Sequence, residues 1–363
     1  MTKLEQVDRR LRLGVLVATC LALMIVTTSC GGKEPAEVTT TSTTAPPTTT
    51  TTTEPPTTTT TEPPPVYWPL TGLEAPDEAS TRARVVSVKI ENSSAARPQS
   101  NLDQADIVYE TITEGGITRF NAFYHSTAPD VVGPVRSARL SDVYIVPQYS
   151  AVFAHVGGNT QVRSGIRSAG IEDVDQFYDP SAYWRSKERR SPHNMYASIA
   201  KLRAVAEARG FAVEKEIVGL EFDRDVTPST PTVLKVTIPF SSGNVVTWAF
   251  DPESRTYLRM NSGRVHLDNV SGEQYRAANV VVIRARTEPQ SYKDSAGSVT
   301  YDIRLQGTGR ASVFRDGQRY DGMWDAASQA PPVFRAEDGS PILLSPGRTW
   351  FQVVSTTTGI SAE

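Results

Sequence analysis

A run of residues 34–65, in which 16 of 32 positions are Thr and 8 are Pro, sets the limits for everything else in this 363-residue chain. Such a run has almost no apolar surface to bury, so it cannot offset the conformational entropy lost on folding. Proline biases it toward polyproline II at about 3.1 Å per residue, a reach of roughly 100 Å when fully extended. It reads as a disordered tether, linker residues 31–65, and Thr/Pro-rich stalks of this kind are also substrates for O-glycosylation. Folded structure is thereby confined to residues 66–363. The first 65 residues hold 5 basic and 6 acidic side chains, which leaves 32 and 34 for that folded part. This near-neutral balance gives no general attraction for nucleic acid, which is excluded as a partner. Two cysteines and four histidines are too few for a disulfide framework and leave little for a metal site, so no metal and no cofactor are expected.

What precedes the tether is an address. Lys3, Arg9, Arg10 and Arg12 form a basic start, and an apolar run over residues 13–26 ends in Thr27-Thr28-Ser29-Cys30-Gly31. A basic region, a short apolar core and small residues at its end make a secretory signal. Its apolar core of about 14 residues is shorter than the roughly 20 needed to cross hydrocarbon. The small residues before Cys30 resemble a lipobox, with Thr27 where that motif usually carries Leu or Val. The expectation is a signal peptide over residues 1–30, cleaved before a lipidated Cys30, with a plain secretory signal or an uncleaved anchor as the alternative. Cys20 then leaves with the signal, no free thiol remains, and cysteine catalysis is excluded. The expected location is the cell membrane, lipid-anchored on its extracytoplasmic face.

The folded part changes character along its length. Residues 85–90, 106–111, 117–125 and 151–156 carry short apolar strand patterns. Ser198 opens a helix with Ile199, Leu202 and Val205 at helical spacing and Gly210 as its stop, and a weaker helix covers residues 161–168. Beyond about residue 212 come only strand-like runs, at 232–238, 245–250, 255–260, 280–285, 299–305 and 349–354, separated by Gly, Ser, Asp and Pro. The fold class is α+β: a mixed α/β domain over residues 66–212, then a mostly β domain over 213–357.

Several ordered motifs carry a resemblance. They begin with Arg97-Pro98-Gln99-Ser100, Gln104-Ala105-Asp106, Ile107-Val108-Tyr109-Glu110 and Glu114-Gly115-Gly116-Ile117-Thr118-Arg119-Phe120. Next are Val132-Gly133-Pro134-Val135-Arg136-Ser137-Ala138-Arg139, His155-Val156-Gly157-Gly158 and Pro192-His193-Asn194-Met195-Tyr196. The β-rich half adds Gly307-Thr308-Gly309, Asp316-Gly317, Gly322-Met323-Trp324 and Pro346-Gly347-Arg348-Thr349-Trp350. From Trp68 to Val354 the chain resembles the YerB-like bacterial lipoproteins, whose two halves are paired domains of unknown function (DUF3048). The resemblance implies a membrane-anchored, extracytoplasmic protein and brings no established reaction.

Chemistry must therefore be read from the residues. A P-loop, a dinucleotide fingerprint, H-E-x-x-H and G-x-S-x-G are all missing. Glu110 and Glu114 are the candidate carboxyl pair, since glycoside hydrolysis needs two carboxyls about 5–5.5 Å apart for retention or about 6.5–9.5 Å for inversion. On one straight strand their Cα atoms would lie roughly 13 Å apart, so a bend at Gly115 or another carboxylate (Asp103, Asp106 or Asp142) would be needed. The alternative is that both glutamates pair with nearby arginines. In Gly133-Pro134-Val135-Arg136-Ser137-Ala138-Arg139, Pro134 suits the first position of a helix. Arg136 and Arg139 would then crowd the positive end of its dipole, an arrangement suited to a bound carboxylate or phosphate. A salt-bridge cluster is the alternative there.

His155, with Gly157 and Gly158, ends a buried strand, where α/β folds place ligands. His193 and Asn194 follow a basic run of Arg185, Lys187, Arg189 and Arg190 that reads as a solvated loop. Either histidine is a candidate acid or base and equally a structural hydrogen-bonding residue. Arg97 and Arg119 complete the candidate ligand-binding set. Trp248, Trp324 and Trp350 read as core, with stacking on sugars as the alternative. The leading expectation is a binding module for peptidoglycan or an anionic wall polymer. An envelope-processing hydrolase using Glu110, Glu114, His155 and His193 is the second reading, and a scaffold for another envelope protein is the third.

Overall fold

The first apolar run after the tether forms β1 (Val86–Glu91), every residue of which is buried. A strand can be buried throughout only when both faces of its sheet are covered, and that condition organises the whole molecule. The computed structural model describes residues 64–363 apart from 226–228, 294–296 and 328. The signal, Cys30 and residues 31–63 of the tether lie outside the described residues. β1 pairs antiparallel with β3 (Thr118–Tyr124), which pairs antiparallel with β2 (Ile107–Ile112). On its other side β1 runs parallel to β4 (Val152–His155), and β4 runs parallel to β5 (Asp173–Asp175). A small antiparallel pair, β6 (Tyr183–Arg185) and β7 (Met195–Ala197), stands apart.

The expected helices form with their caps. After the short helices α1 (Glu78–Thr81) and α2 (Asp142–Ile145), α3 spans Thr160–Ser168, with the Asn159 side chain accepting from the Val162 amide. α4 spans Ile199–Ala208, with Ser198 accepting from the Lys201 amide. These side chains satisfy amides that a helix start leaves without an internal partner. Among the described residues every helix precedes residue 210, so the mixed α/β character of the first part and the mostly β character of the second hold in the structure.

The strand Thr349–Ser355 connects the two parts. It runs parallel to β2, with Gln352 opposite Glu110, and parallel to Asn279–Lys293 on its other side. Strands from both sides of residue 212 therefore share one eleven-stranded sheet. A second, six-stranded sheet is built around Lys235–Ser241, Asn244–Asp251 and Thr256–Asn261. Its strands alternate buried and less buried positions, the signature of a sheet with one covered face.

Alternation also assigns the two cores. Val86, Val88, Ile90, Val108 and Phe120 face the small sheet, where they meet Val236, Ile238, Val246 and Tyr257, together with α4. Ile107, Tyr109, Phe123 and Phe153 face the other way, toward Ile145, Val146, Val162 and Ile166. Trp248, Trp324 and Trp350 are all buried, as their place in the core requires. Trp248 meets Trp350 edge-on at 5.1 Å, joining the two sheets.

One local expectation is corrected and one unread element is added. Residues 133–139 do not begin a helix at Pro134. The Pro134 carbonyl accepts from the Glu91 amide, while the Val135 and Arg136 amides donate to Met195 and Lys89 carbonyls. With those groups committed to flanking strands the segment stays extended, and the helix starts at Asp142. The hairpin Gly307–Arg315 with Gln318–Ala326 is also absent from the sequence reading, because Gly and Arg break its apolar pattern. Gly322 is there for space, since a Cβ on it would come within 2.1 Å of the Arg335 carbonyl oxygen.

Candidate functional site

The parallel strands β1, β4 and β5 place their carboxyl ends together, and the loops leaving β4 and β5 border a cleft of about 500 Å³. Crevices outside the carboxyl ends of parallel strands are where open α/β sheets bind ligands. One wall consists of Glu114, Arg119, Arg136, Ser137 and Arg139. Facing it are Gly157, Gly158 and Asn159, which lead into α3, and Arg163 on its first turn. Phe177 and Arg185 complete the lining. Five guanidinium groups thus surround a space with one carboxylate in its lining.

That carboxylate is already engaged. Glu114 occupies the tight turn between β2 and β3, where Gly115 and Gly116 both take positive φ. Its two oxygens accept from Arg139 Nε at 2.6 Å and Nη2 at 2.7 Å, a bidentate pair. Arg119 lies on β3 opposite Glu91 and is only 5 % exposed. Its Nη1 donates to the Ser137 carbonyl at 3.0 Å, while its buried Nε has no hydrogen-bond partner among the described residues. Burial, with Arg139 close by, pushes the Arg119 guanidinium down to about 9. Arg136 approaches Glu91 at 3.4 Å. Arg163 makes no side-chain hydrogen bond or ion pair among the described residues, and its side chain is exposed.

Behind this wall lies Lys89, which is fully buried. Its ammonium donates to Asn121 and Asp142, each at 2.7 Å, and burial draws its pKa down against the pull of Asp142. Asp142 also accepts from the Arg139 amide at 2.7 Å, so it fixes the backbone from which Arg139 reaches Glu114. Asp175 does the same for the opposite side. One of its oxygens accepts from the Gly157 amide at 2.9 Å and from the Phe177 amide at 3.1 Å. Gly157 takes φ +61, and a Cβ there would press to 2.8 Å from the Phe177 ring. Only glycine allows the turn and the ring to approach this closely.

The residues singled out in the sequence separate into distinct places. Glu114, Arg119, Arg136, Arg139, Gly157 and Gly158 share the cleft. Asn194 stands just behind it, accepting from Arg185 at 2.8 Å. His193 lies to one side with Nδ1 at 2.9 Å from Glu91. His155 is fully buried, its ring nitrogens 3.0 Å from the Gly157 carbonyl and 3.0 Å from Asp173. Glu110 and Arg97 belong to another network. Glu110 is fully buried, receives Thr118 Oγ1 at 2.7 Å and pairs with Arg259 at 2.9 Å. Arg97 donates to Asn92, and burial pushes it down to about 10. Glu110 and Glu114 therefore each pair with an arginine, the alternative weighed in the sequence. Among the described residues no group of three or more His, Cys, Asp and Glu is arranged to hold a metal.

Sequence reasoning passed over Arg163, Phe177 and Lys89, and it read Arg185 as part of a solvated loop. Arg163 carried a signal, because it stands four positions after the capping Asn159 and hence on the first turn of a helix that follows a Gly-Gly loop. Nothing local marks Phe177 or Lys89, whose roles arise from strands distant in sequence.

Comparison with known proteins agrees with this architecture. Residues 70–212 match the family described as "Protein of unknown function (DUF3048) N-terminal domain", and residues 236–351 match its C-terminal domain. The chain is 30% identical over 290 residues to "Putative lipoprotein YerB" of Bacillus subtilis (strain 168), covering 79% of this chain and 85% of that protein. It superimposes on the crystal structure of the Bacillus subtilis YerB protein with a TM-score of 0.72 at 29% identity, over 82% of this chain and 99% of that one. The chain belongs to the DUF3048 family and is YerB-like over most of its length.

Proposed function

We propose that the protein is a membrane-anchored lipoprotein, tethered on the extracytoplasmic face through Cys30, whose cleft binds an anionic component of the cell envelope. The anchor rests on the signal and lipobox pattern of residues 1–31 and on the name of the Bacillus subtilis relative. The binding reading is carried by one observation: the guanidinium of Arg119, itself nine-tenths buried, lines a cleft with four other arginines, and the one carboxylate in that lining is already paired with Arg139. Arginines gathered at one cleft repel one another, and a bound anion offsets that repulsion. The hydrolase reading draws no comparable support, because Glu110 and His155 are sealed away and Glu114 is held by Arg139.

The experiment is co-sedimentation of the full chain with isolated cell-wall sacculi, with mass spectrometry of the supernatant. Retention in the pellet, displaced by excess inorganic phosphate and lost in Arg119→Gln, is the expected result. Release of defined wall fragments makes the protein an enzyme instead, and the absence of both retention and release rules the cell wall out as the ligand.

A further inference from the structure

We infer that the cleft recognises a phosphorylated saccharide, with the phosphate seated among Arg119, Arg136 and Arg163 and the sugar ring laid on Phe177. This rests on the anion-binding reading above and names the class of ligand.

The cleft itself separates phosphate from carboxylate. A planar carboxylate offers two oxygens that one guanidinium fork satisfies, and Glu114 with Arg139 is already that pair. The remaining donors come from three elements. Arg119 projects from β3, Arg136 from the extended segment and Arg163 from α3. Donors converging from several directions match the tetrahedral oxygens of phosphate better than the single plane of a carboxylate. Helix α3 adds to them. Asn159 caps the Val162 amide, leaving the Thr160 and Gln161 amides without a helical acceptor at the positive end of the dipole. The independent sign that something is to be bound there is Arg119, which lines the cleft, is nine-tenths buried and, beyond the Nη1 bond to the Ser137 carbonyl, has no acceptor for its guanidinium among the described residues.

Phe177 supplies the second half. The residue is 69% exposed although large apolar groups are normally covered. It is nevertheless held in place, with its amide on Asp175 and one edge of its ring where a Cβ on Gly157 would otherwise lie. An aromatic ring fixed at one edge and open on the other, beside an anion site, forms a platform for the apolar face of a sugar. A cleft of about 500 Å³ is larger than one phosphate requires and falls in the range of small-molecule sites.

The test is calorimetric titration of the full chain in detergent with inorganic phosphate, glycerol 1-phosphate and glucose 1-phosphate, for the native protein and for Phe177→Ala and Arg119→Gln. Glucose 1-phosphate is expected to bind about tenfold more tightly than glycerol 1-phosphate. In Phe177→Ala the ratio of the two esters' affinities should fall to about one, and all binding should be lost in Arg119→Gln. Equal binding of the two esters overturns the saccharide assignment while the anion reading survives, and so does tighter binding of adenosine 5′-monophosphate. No binding of any probe overturns both. A glucose phosphoglycerol diester then separates two sources of the same chemistry: binding places the unit inside a phosphodiester polymer, and loss of binding places it at a chain end or in a free sugar phosphate.

Discussion

Arg259 of the small sheet and Glu110 of β2 form an ion pair at 2.9 Å with neither side chain exposed. The guanidinium lies against Trp350, Trp248 and Phe120, with centroid distances of 4.9, 5.3 and 5.6 Å. Its Nε donates to His266, which in turn contacts Gln99. This network ties the small sheet to the large one through charge as well as apolar contact. Removing one partner strands a buried charge, so Arg259→Met or Glu110→Gln should each cost about 3–5 kcal/mol in urea unfolding. The double variant Glu110→Leu with Arg259→Met should recover most of the loss. A double variant no more stable than the worse single one would assign the effect to packing instead.

His125 gives the fold a dependence on pH. It is buried, edge-on to Trp68 at 4.9 Å, and burial, assisted by Arg203, lowers its pKa from 6.5 to about 4. Below pH 6.5 the unfolded chain therefore takes up a proton that the folded chain refuses. Stability present above pH 6.5 is lost as pH falls toward 4, by up to about 1.4 kcal/mol per pH unit from this group. His125→Phe fills the same space without titrating. Unfolding measured at pH 7 and pH 5 should show a smaller fall for the variant than for the native chain, and equal falls would clear His125 of the effect.

Asp175 positions the cleft without lining it. Asp175→Ala frees the amides of Gly157 and Phe177 and should weaken anion binding while leaving every arginine in place, at a stability cost of about 1–3 kcal/mol. Asp175→Asn keeps an acceptor oxygen and should restore most of the binding. Titration with phosphate at a temperature where thermal unfolding shows both variants folded separates positioning from a general loss of fold: binding weakened in the folded Ala variant and restored in the Asn variant marks positioning.

Gly322 faces Ala311 across the hairpin, close to the Arg335 carbonyl. Gly322→Ala must move that backbone and should lower the stability by about 1–3 kcal/mol, whereas Gly170→Ala should be felt through its positive φ alone, since nothing crowds it. Circular dichroism melts of the two variants make the comparison. A Gly322→Ala protein as stable as the native one would show that the hairpin is free to shift.

By itself the sequence determined what local patterns can encode. Continuous apolar runs marked β1 to β4, Asn159 and Ser198 marked helix starts, and the loss of helical periodicity after Gly210 marked the passage to β structure. It also brought forward six of the cleft residues, because Gly-Gly turns and arginines beside strand ends are unusual enough to notice. Tertiary structure decided the rest. Residues 133–139 are extended because their amides and carbonyls meet partners on β1 and β7, contacts that outweigh the helix-start preference of Pro134. Thr349–Ser355 joins both parts into one sheet through pairings spanning more than 200 residues, which no local period records. Glu110 and Glu114 are four positions apart in sequence, yet one is sealed against Arg259 and the other faces the cleft with Arg139. Charge, burial and access are properties of the space around a side chain, and that space is assembled from distant strands.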